Sequence, residues 1–279
     1  MMRILKIKEI GDVISGSTPK TEKKEYWDGE INWATPKELG QLDGKYLNDT
    51  ERKITKEGFK SCSTRLIPPG NILFTSRAPI GHLAINNIEV CTNQGFKSII
   101  LKEEYASDYI YYALKRSVKK LQDLGTGSTF KELSKGKFEE FTIPVPRLLD
   151  QHYIANLLSK AENLIAQRKE SIRLLDEFLK STFLEMFGDP ATNSKKWELK
   201  TLKDVCLKIQ DGTHFSPPIT KEGRPYITAK HVRENKIDFW DNPWFISEES
   251  HRAIYKRCNP VKGDVIYIKG SCDYRLCCN

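Results

Sequence analysis

Residues 149–188 read LDQHYIANLLSKAENLIAQRKESIRLLDEFLKSTFLEMFG. Apolar or small residues recur at Ile154, Leu158, Ala161, Ile165, Ile172, Leu175, Leu179 and Met186. The steps alternate between four and three once Arg168 and Thr182 are counted as the polar members of the row. Such a heptad row, carried over about five repeats, predicts a helix packed along its length on another helix. At about 1.5 Å per residue it spans on the order of 55 Å, longer than a small domain is wide. Gly188-Asp189-Pro190 stops it. What precedes and follows this helix decides whether it is a plain oligomerisation device or something more specific.

The 279 residues are enough for two domains with sizeable cores. No apolar run approaches the roughly 20 residues of a membrane span, and the start, MMRILKIKEIG, lacks the layout of a signal peptide. A cytoplasmic chain with no membrane partner is therefore expected. Its seven cysteines, Cys62, Cys91, Cys206, Cys258, Cys272, Cys277 and Cys278, are an odd set without paired spacing or a partnering histidine, which points to reduced thiols and no metal site. The net charge of +8 is unevenly placed: +5 over residues 1–149, −1 over 150–187 and +4 over 188–279. A positive field confined to the two regions that flank the helix suits a polyanion such as DNA, although many proteins are this basic without binding one.

The first region mixes short strands and helices without regular alternation, which argues an α+β fold. Ile7, Ile10, Val13 and Ile14 suggest a short N-terminal helix. Strands are expected at Ile31–Thr35, Asn71–Thr75, Gly81–Ile85, Phe96–Leu101 and Phe138–Val145, with helices at Lys53–Ser61 and Ser107–Leu124. The second of these helices has an apolar face at Ile110, Tyr111, Leu114, Val118 and Leu121. A turn is expected at Pro68-Pro69-Gly70. Five loops combine small polar and basic residues: Ser17-Thr18-Pro19-Lys20, Thr35-Pro36-Lys37, Thr75-Ser76-Arg77, Asn93-Gln94-Gly95 and Thr126-Gly127-Ser128-Thr129-Phe130-Lys131. These residue types hydrogen-bond phosphates and base edges. They are also ordinary turn formers, so no single loop argues a site, whereas five in one domain shift the balance.

After the helix and a polar linker, Ala191–Lys196, the chain begins again. Ile7-Lys8-Glu9-Ile10 is echoed by Leu202-Lys203-Asp204-Val205, and Ser17-Thr18 by Gly212-Thr213. Thr35-Pro36-Lys37-Glu38-Leu39 is echoed by Thr228-Ala229-Lys230-His231-Val232, and Pro69–Phe74 by Lys262–Tyr267. The offset stays between 193 and 195 residues, the signature of a duplication. Asn279 answers to about Asn86 of the first copy, so the second copy is expected to be truncated, in the natural gene or otherwise.

Motifs for catalysis are missing. There is no G-x-x-x-x-G-K-[ST] and no G-x-G-x-x-G entering a helix, so neither ATP nor a methyl donor has an obvious loop. Asn242-Pro243-Trp244-Phe245 superficially resembles the Asn-Pro-Pro-aromatic motif of DNA amino-methyltransferases but lacks its second proline. Asp12 with Glu22-Lys23-Lys24 makes a poor metal-nuclease pattern, and His82, His152, His214, His231 and His251 have no ligand spacing.

These pieces resemble the DNA specificity subunit of type I restriction–modification systems. Ile14-Ser15-Gly16-Ser17-Thr18-Pro19 is similar to the family's N-terminal "ISGGTP" element. Ser76–Gly81 and Thr92–Lys97 resemble recurrent recognition segments. Gly127–Lys131, Ile143–Pro146 and Gln151–Ala155 resemble the join to the family's long helix, usually "IPxPPLxEQ", and Phe183–Pro190 resembles its end. Here Arg147-Leu148-Leu149-Asp150 replaces the usual Pro-Leu-x-Glu.

The resemblance implies a first target recognition domain over residues 1–149, a spacer and dimerisation helix over 150–188, and an incomplete second recognition domain over 189–279. Each recognition domain would read half of a split double-stranded DNA site, and two long helices, packed antiparallel, would set the separation of the halves. Such a chain is not an enzyme and carries no cofactor. It recruits modification (methyltransferase) subunits, which use S-adenosylmethionine, and restriction (motor–nuclease) subunits, which use ATP and Mg2+. Lys20, Lys37, Arg77, Lys97, Ser128, Thr129 and Lys131 are the expected DNA contacts, while Gly95, Gly127 and Pro79 are expected to shape backbone. Two alternatives stay open: a half-type specificity protein that acts as a homodimer through the long helix, and the recognition part of a DNA methyltransferase or nuclease.

Overall fold

A computed structural model describes residues 2–127, 131–233 and 236–268, together with the backbone of 276–278. The chain divides into two compact units, Met1–Thr182 and Phe183–Asn279. The first takes in most of the long helix.

The centre of the first unit is a five-stranded sheet. Its strands are β2 (Gly11–Ser15), β9 (Lys97–Leu101), β6 (Ile72–Ser76), β7 (Ile80–Asn86) and β4 (Tyr46–Leu47), in that spatial order. Every residue of β6 is buried. Successive side chains on a strand point to opposite faces, and here both faces are covered. Ile72 and Phe74 enter one apolar cluster, with Val13, Leu83, Ile85 and Ile99. Leu73 enters the other, with Ile14, Ala34, Ala84 and Phe96. A strand buried on both sides reads as an unbroken apolar run, which is why Ile72-Leu73-Phe74 is legible. The first cluster is closed by α4 (Ser107–Leu124), which packs its Tyr109, Ile110, Leu114 and Leu121 against the sheet. A three-stranded sheet, β5 (Lys53–Ile54), β3 (Trp27–Ala34) and β8 (Cys91–Thr92), surrounds a smaller core of Trp27, Trp33, Ile54 and Cys91. A ribbon of β1 (Arg3–Lys6) antiparallel to β10 (Thr142–Val145) joins the two ends of the domain just before α6 (Leu148–Phe187), the long helix.

Three local expectations are corrected. The N-terminal helix covers only Ile7–Ile10 (α1), and Val13 and Ile14 belong to β2. Gly11 pairs with Leu101, and a Cβ there would lie 2.2 Å from the Ile100 carbonyl oxygen, so glycine is what allows β2 to close on β9. Lys53–Ser61 is not one helix. Ile54 pairs with Ile31, and α3 (Lys56–Lys60) starts only after Thr55, whose hydroxyl accepts from the Gly58 amide at 3.0 Å. Phe138 lies on α5 (Lys135–Glu140), capped by Ser134, and stacks on Phe74 at 4.6 Å; the strand begins at Thr142.

The second unit begins with the end of α6. Gly188 adopts φ +77°, the left-handed conformation typical of a helix C-terminus. The Lys195 ammonium donates to the carbonyls of Met186 (3.2 Å) and Glu185, and the Trp197 indole donates to that of Phe187 (2.7 Å). The polar linker is thus a cap for the helix. Farther on come α7 (Leu202–Val205), β11 (Arg224–Pro225), β12 (Val232–Arg233), β13 (Lys236–Ile237), β14 (Phe245–Ile246), α8 (Glu248–Arg257), β15 (Val265–Tyr267) and β16 (Leu276–Cys278). The antiparallel partner of Ile246 is Arg224, as that of Ile54 is Ile31; Ser247 then caps α8 as Thr55 caps α3. Gly263 (φ +99°) leads into β15 as Gly70 (φ +82°) leads towards β6. Gly188, Pro217, His231, Val232, Phe239 and Ile246 are the buried residues among those described in this unit. The His231 ring is bonded at both nitrogens, to Thr228 and to the Asn242 carbonyl.

Candidate nucleic-acid interface

Four of the polar loops of the first unit follow or end strands and the fifth follows α4, and one of them, Asn93-Gln94-Gly95 between β8 and β9, draws the others together. The Ser17 amide donates to the Thr92 carbonyl at 2.9 Å, and the Thr18 hydroxyl donates to the Gln94 side-chain oxygen. The Asn93 amide donates to the Ala34 carbonyl at 3.2 Å. At Gly95 a Cβ would come within 2.9 Å of the Pro36 ring and 3.6 Å of the Arg77 side chain. From the other side, the Ser76 amide and hydroxyl both donate to the Gly95 carbonyl, at 2.7 and 3.1 Å. The last loop attaches to the Arg77 segment: Glu132 pairs through its backbone with both Arg77 and Thr126, and the Leu133 amide donates to the Ser76 carbonyl at 2.9 Å.

Each loop is held by its own short-range bonds. Thr35 and Glu38 form a reciprocal cap at the start of α2 (Pro36–Gln41), which leaves Lys37 exposed on its first turn. Glu38 also accepts from the Glu51 amide at 2.7 Å. Buried Thr75 accepts from the His82 amide at 2.9 Å and donates to the Pro79 carbonyl at 2.7 Å, which closes the turn between β6 and β7. Ala78 in that turn has φ +56°. The Trp33 indole donates to the Ser17 carbonyl (3.1 Å) and the Trp27 indole to that of Lys20 (3.3 Å), so the first loop rests on the tryptophan core.

The expected contact residues do not share one environment. Lys20, Lys37 and Lys131 are exposed, and among the described residues none of them makes an ion pair. Arg77 is half-buried, with Nη1 3.5 Å from Glu132 Oε2. Lys97 is only 7% exposed, and its Nζ lies 3.7 Å from the other Glu132 oxygen. Burial pulls the Lys97 ammonium below the usual lysine range; Glu132 works against this, and the Arg77 and Lys135 charges add to it. Ser128 and Thr129 lie outside the described residues. Gln94 and Glu132 were not among the expected contacts. Gln94 is exposed at the hub, and Glu132 joins Arg77 to Lys97. The N-Q-G triplet is a local signal for the first, while the second has none, because its partners are 35 or more positions away in the chain.

The long helix is docked by a face other than its heptad row. Gln151 is 1% exposed: its amide oxygen accepts from the Ala106 amide at 2.9 Å, and its amide nitrogen donates to the Pro146 carbonyl at 3.0 Å. Ala155 enters the main apolar cluster, with Ile154 packed against it. Lys45 Nζ donates to Ser159 Oγ at 2.8 Å and lies 2.5 Å from Asp108. The Tyr112 hydroxyl donates to Glu162 at 2.6 Å, and Lys115 donates to the other Glu162 oxygen at 2.6 Å. Beyond Glu162 this face has no such partners among the described residues of the unit. Of the heptad row, Leu158, Ala161, Ile165, Ile172, Leu175, Leu179 and Met186 are exposed and Ile154 is half-buried. Leu157, Leu164 and Phe178 are exposed as well and widen the row by a third heptad position. No group of metal-ligating side chains occurs among the described residues, and no helix among them is long and apolar enough to cross a membrane.

Comparison with known proteins places the loops and most of the long helix within one family match. Residues 2–174 match the family model described as "Type I restriction modification DNA specificity domain". The type I restriction enzyme MjaIX specificity subunit of Methanocaldococcus jannaschii is 40% identical over 249 residues, covering 82% of this chain and 57% of that protein. The EcoR124I/EcoR124II specificity subunit of Escherichia coli is 31% identical over 168 residues, 56% of this chain and 40% of that one. The chain thus spans about half the length of these relatives. A solved chain from work on complex assembly and conformational transition of the type I R-M system superposes with a TM-score of 0.54 at 19% identity, covering 65% of this chain and 43% of that chain, which speaks for the fold. With a model match over more than half its length, carried by the segment that holds the converging loops and the docked helix, the chain belongs to the family of type I restriction–modification DNA specificity domains.

Proposed function

We propose that this chain is a sequence-specific DNA-binding specificity subunit of a type I restriction–modification complex, itself without catalytic activity. The observation that carries the reading is the convergence of three polar, basic loops on the Asn93–Gly95 hub, with the Thr126 end of a further loop joined to Arg77 through Glu132. Duplex recognition needs side-chain donors and acceptors at base edges, with cations on phosphates around them. Lys20, Lys37, Arg77 and Lys131 supply the cations, and Ser128 and Thr129 are further contacts by residue type. Lys97 serves from beneath, as a support for Glu132.

In this reading residues 1–149 form one target recognition domain, 150–188 the spacer, and 189–279 part of a second recognition domain. The register of Arg224 with Ile246, repeating that of Ile31 with Ile54, supports the last assignment. The exposed helix row is wider than a two-helix seam needs, which suits a helix that meets a partner helix and methyltransferase subunits together. Those subunits use S-adenosylmethionine, and motor–nuclease subunits use ATP and Mg2+.

The purified chain given labelled S-adenosylmethionine and DNA is expected to transfer no methyl group. Mixed with a cognate methyltransferase subunit, it is expected to direct adenine methylation to one bipartite motif. Turnover by the chain alone, or methylation without sequence preference in the mixture, would overturn the reading.

A further inference from the structure

We infer that Arg77 reads a guanine edge and that Glu132 is the positioning residue that commits it to a base rather than to a phosphate; this rests on the DNA-recognition reading above. The backbone around Arg77 is fixed from both sides. Ser76 holds Gly95 with amide and hydroxyl while its carbonyl accepts from Leu133, Arg77 pairs with Glu132, and Thr75 closes the turn through Pro79 and His82. A side chain on such a mount suits the narrow geometry of base readout. Lys20, Lys37 and Lys131 are exposed point charges without ion-pair partners among the described residues.

The Glu132 carboxylate sets Arg77 apart. One guanidinium nitrogen is 3.5 Å from Glu132, and the remaining donors of the fork have no partner among the described residues. A phosphate approaching Arg77 meets that carboxylate and is repelled by it. The O6 and N7 acceptors of guanine are uncharged and suffer no such repulsion. They match the guanidinium fork in a bidentate pair, which an ammonium cannot reproduce. Lys97, largely buried and 3.7 Å from the other carboxylate oxygen, holds Glu132 in place.

The test is selection of binding sites from randomised duplexes by the full chain, alone and assembled with a cognate methyltransferase subunit. Wild type, Arg77→Lys, Glu132→Gln and Lys37→Ala are compared, each after its melting temperature has been checked. Wild type should enrich a motif with a G·C pair at a fixed position. Arg77→Lys, which keeps the charge, should lower discrimination at that one position by about tenfold to a hundredfold and bind unrelated duplex as before. Glu132→Gln should lower the same discrimination while binding unrelated duplex more tightly, the reverse of what structural damage would do. Lys37→Ala should weaken all sequences alike and reduce the salt slope by about one. Should Glu132→Gln fail to fold, Glu132→Ala takes its place, and a Glu132 variant that folds with discrimination and binding to unrelated duplex unchanged overturns its positioning role. An unchanged motif in Arg77→Lys, or a loss spread evenly over all sequences, overturns the assignment of Arg77 and leaves the recognition reading standing. Failure of wild type to enrich any motif sinks both.

Discussion

The two parts of α6 within the first unit have similar sequences and different surroundings. From Gln151 to Glu162 the helix lies on its domain through a small apolar contact at Ala155 and hydrogen-bonded polar residues. From Leu164 to Leu179 its large apolar residues are exposed, Ile172 at 60%. The docked face is polar and satisfied, and the undocked face is apolar. In proteins most helical stability comes from packing of an apolar face, and an exposed apolar row favours association. The difference separates two parts of the helix: one end is fixed to the first domain, and the rest presents an exposed apolar surface.

Ala155→Asp and Leu175→Asp put that separation to its severest test. Ala155 is buried in the main cluster, and an uncompensated carboxylate there should cost about 3 kcal/mol or more, seen as a large drop in the melting temperature of the isolated chain. Leu175→Asp changes an exposed position and should leave stability within about 0.5 kcal/mol, while assembly with the methyltransferase subunit, followed by size-exclusion chromatography, is lost. Equal destabilisation by both would show that the row is covered within the isolated chain.

Gln151→Ala is the next largest. It leaves the Ala106 amide and the Pro146 carbonyl without their partner in a site closed to water. The expected cost is about 1–3 kcal/mol, read by denaturant unfolding, with Gln151→Glu no better because a carboxylate cannot donate to Pro146. A cost within error would mean that the helix entry is held by packing alone.

These two residues show what was legible in the sequence. The heptad row is a repeating local pattern, so the helix was readable, as was α4, whose one-sided apolar face follows the 3.6-residue period. Gln151 was legible as part of a family phrase and not as an anchor, because its partners Ala106 and Pro146 belong to other segments. Val13 and Ile14 read as helix because each faces a different core, an arrangement that erases the alternation by which strands are recognised. At the interface, the five loops could be read one by one from their residue types. Their convergence depends on pairing between β3, β8, β9 and β6, which no local pattern encodes. Lys97 could not be told from Lys37 by type, though one is buried and the other exposed.

The smallest expected effect concerns the outer edge of the docked face. Burial disfavours the charge on Glu162, but hydrogen bonds from Lys115 and Tyr112 and the charge of Lys45 outweigh it and hold the carboxyl below its usual range. Such a group contributes stability above its unfolded pKa, about 4.3 for glutamate, and loses it as pH falls through the lower folded value. Lys45 is shifted the other way: burial disfavours its charge, yet Asp108 and Tyr112 raise its pKa. Its contribution is therefore complete below the ordinary lysine range and is lost only above it. The docked face should be indifferent to pH between about 5 and 10. Glu162 is partly exposed, so water screens its pairs and the Glu162→Gln penalty should stay within about 1 kcal/mol. Melting curves of wild type and Glu162→Gln should differ at neutral pH and converge as pH falls below about 4. A gap that persists in acid would mean that Glu162 is held by shape rather than by its charge, which would make the edge of the docked face no different in kind from Ala155.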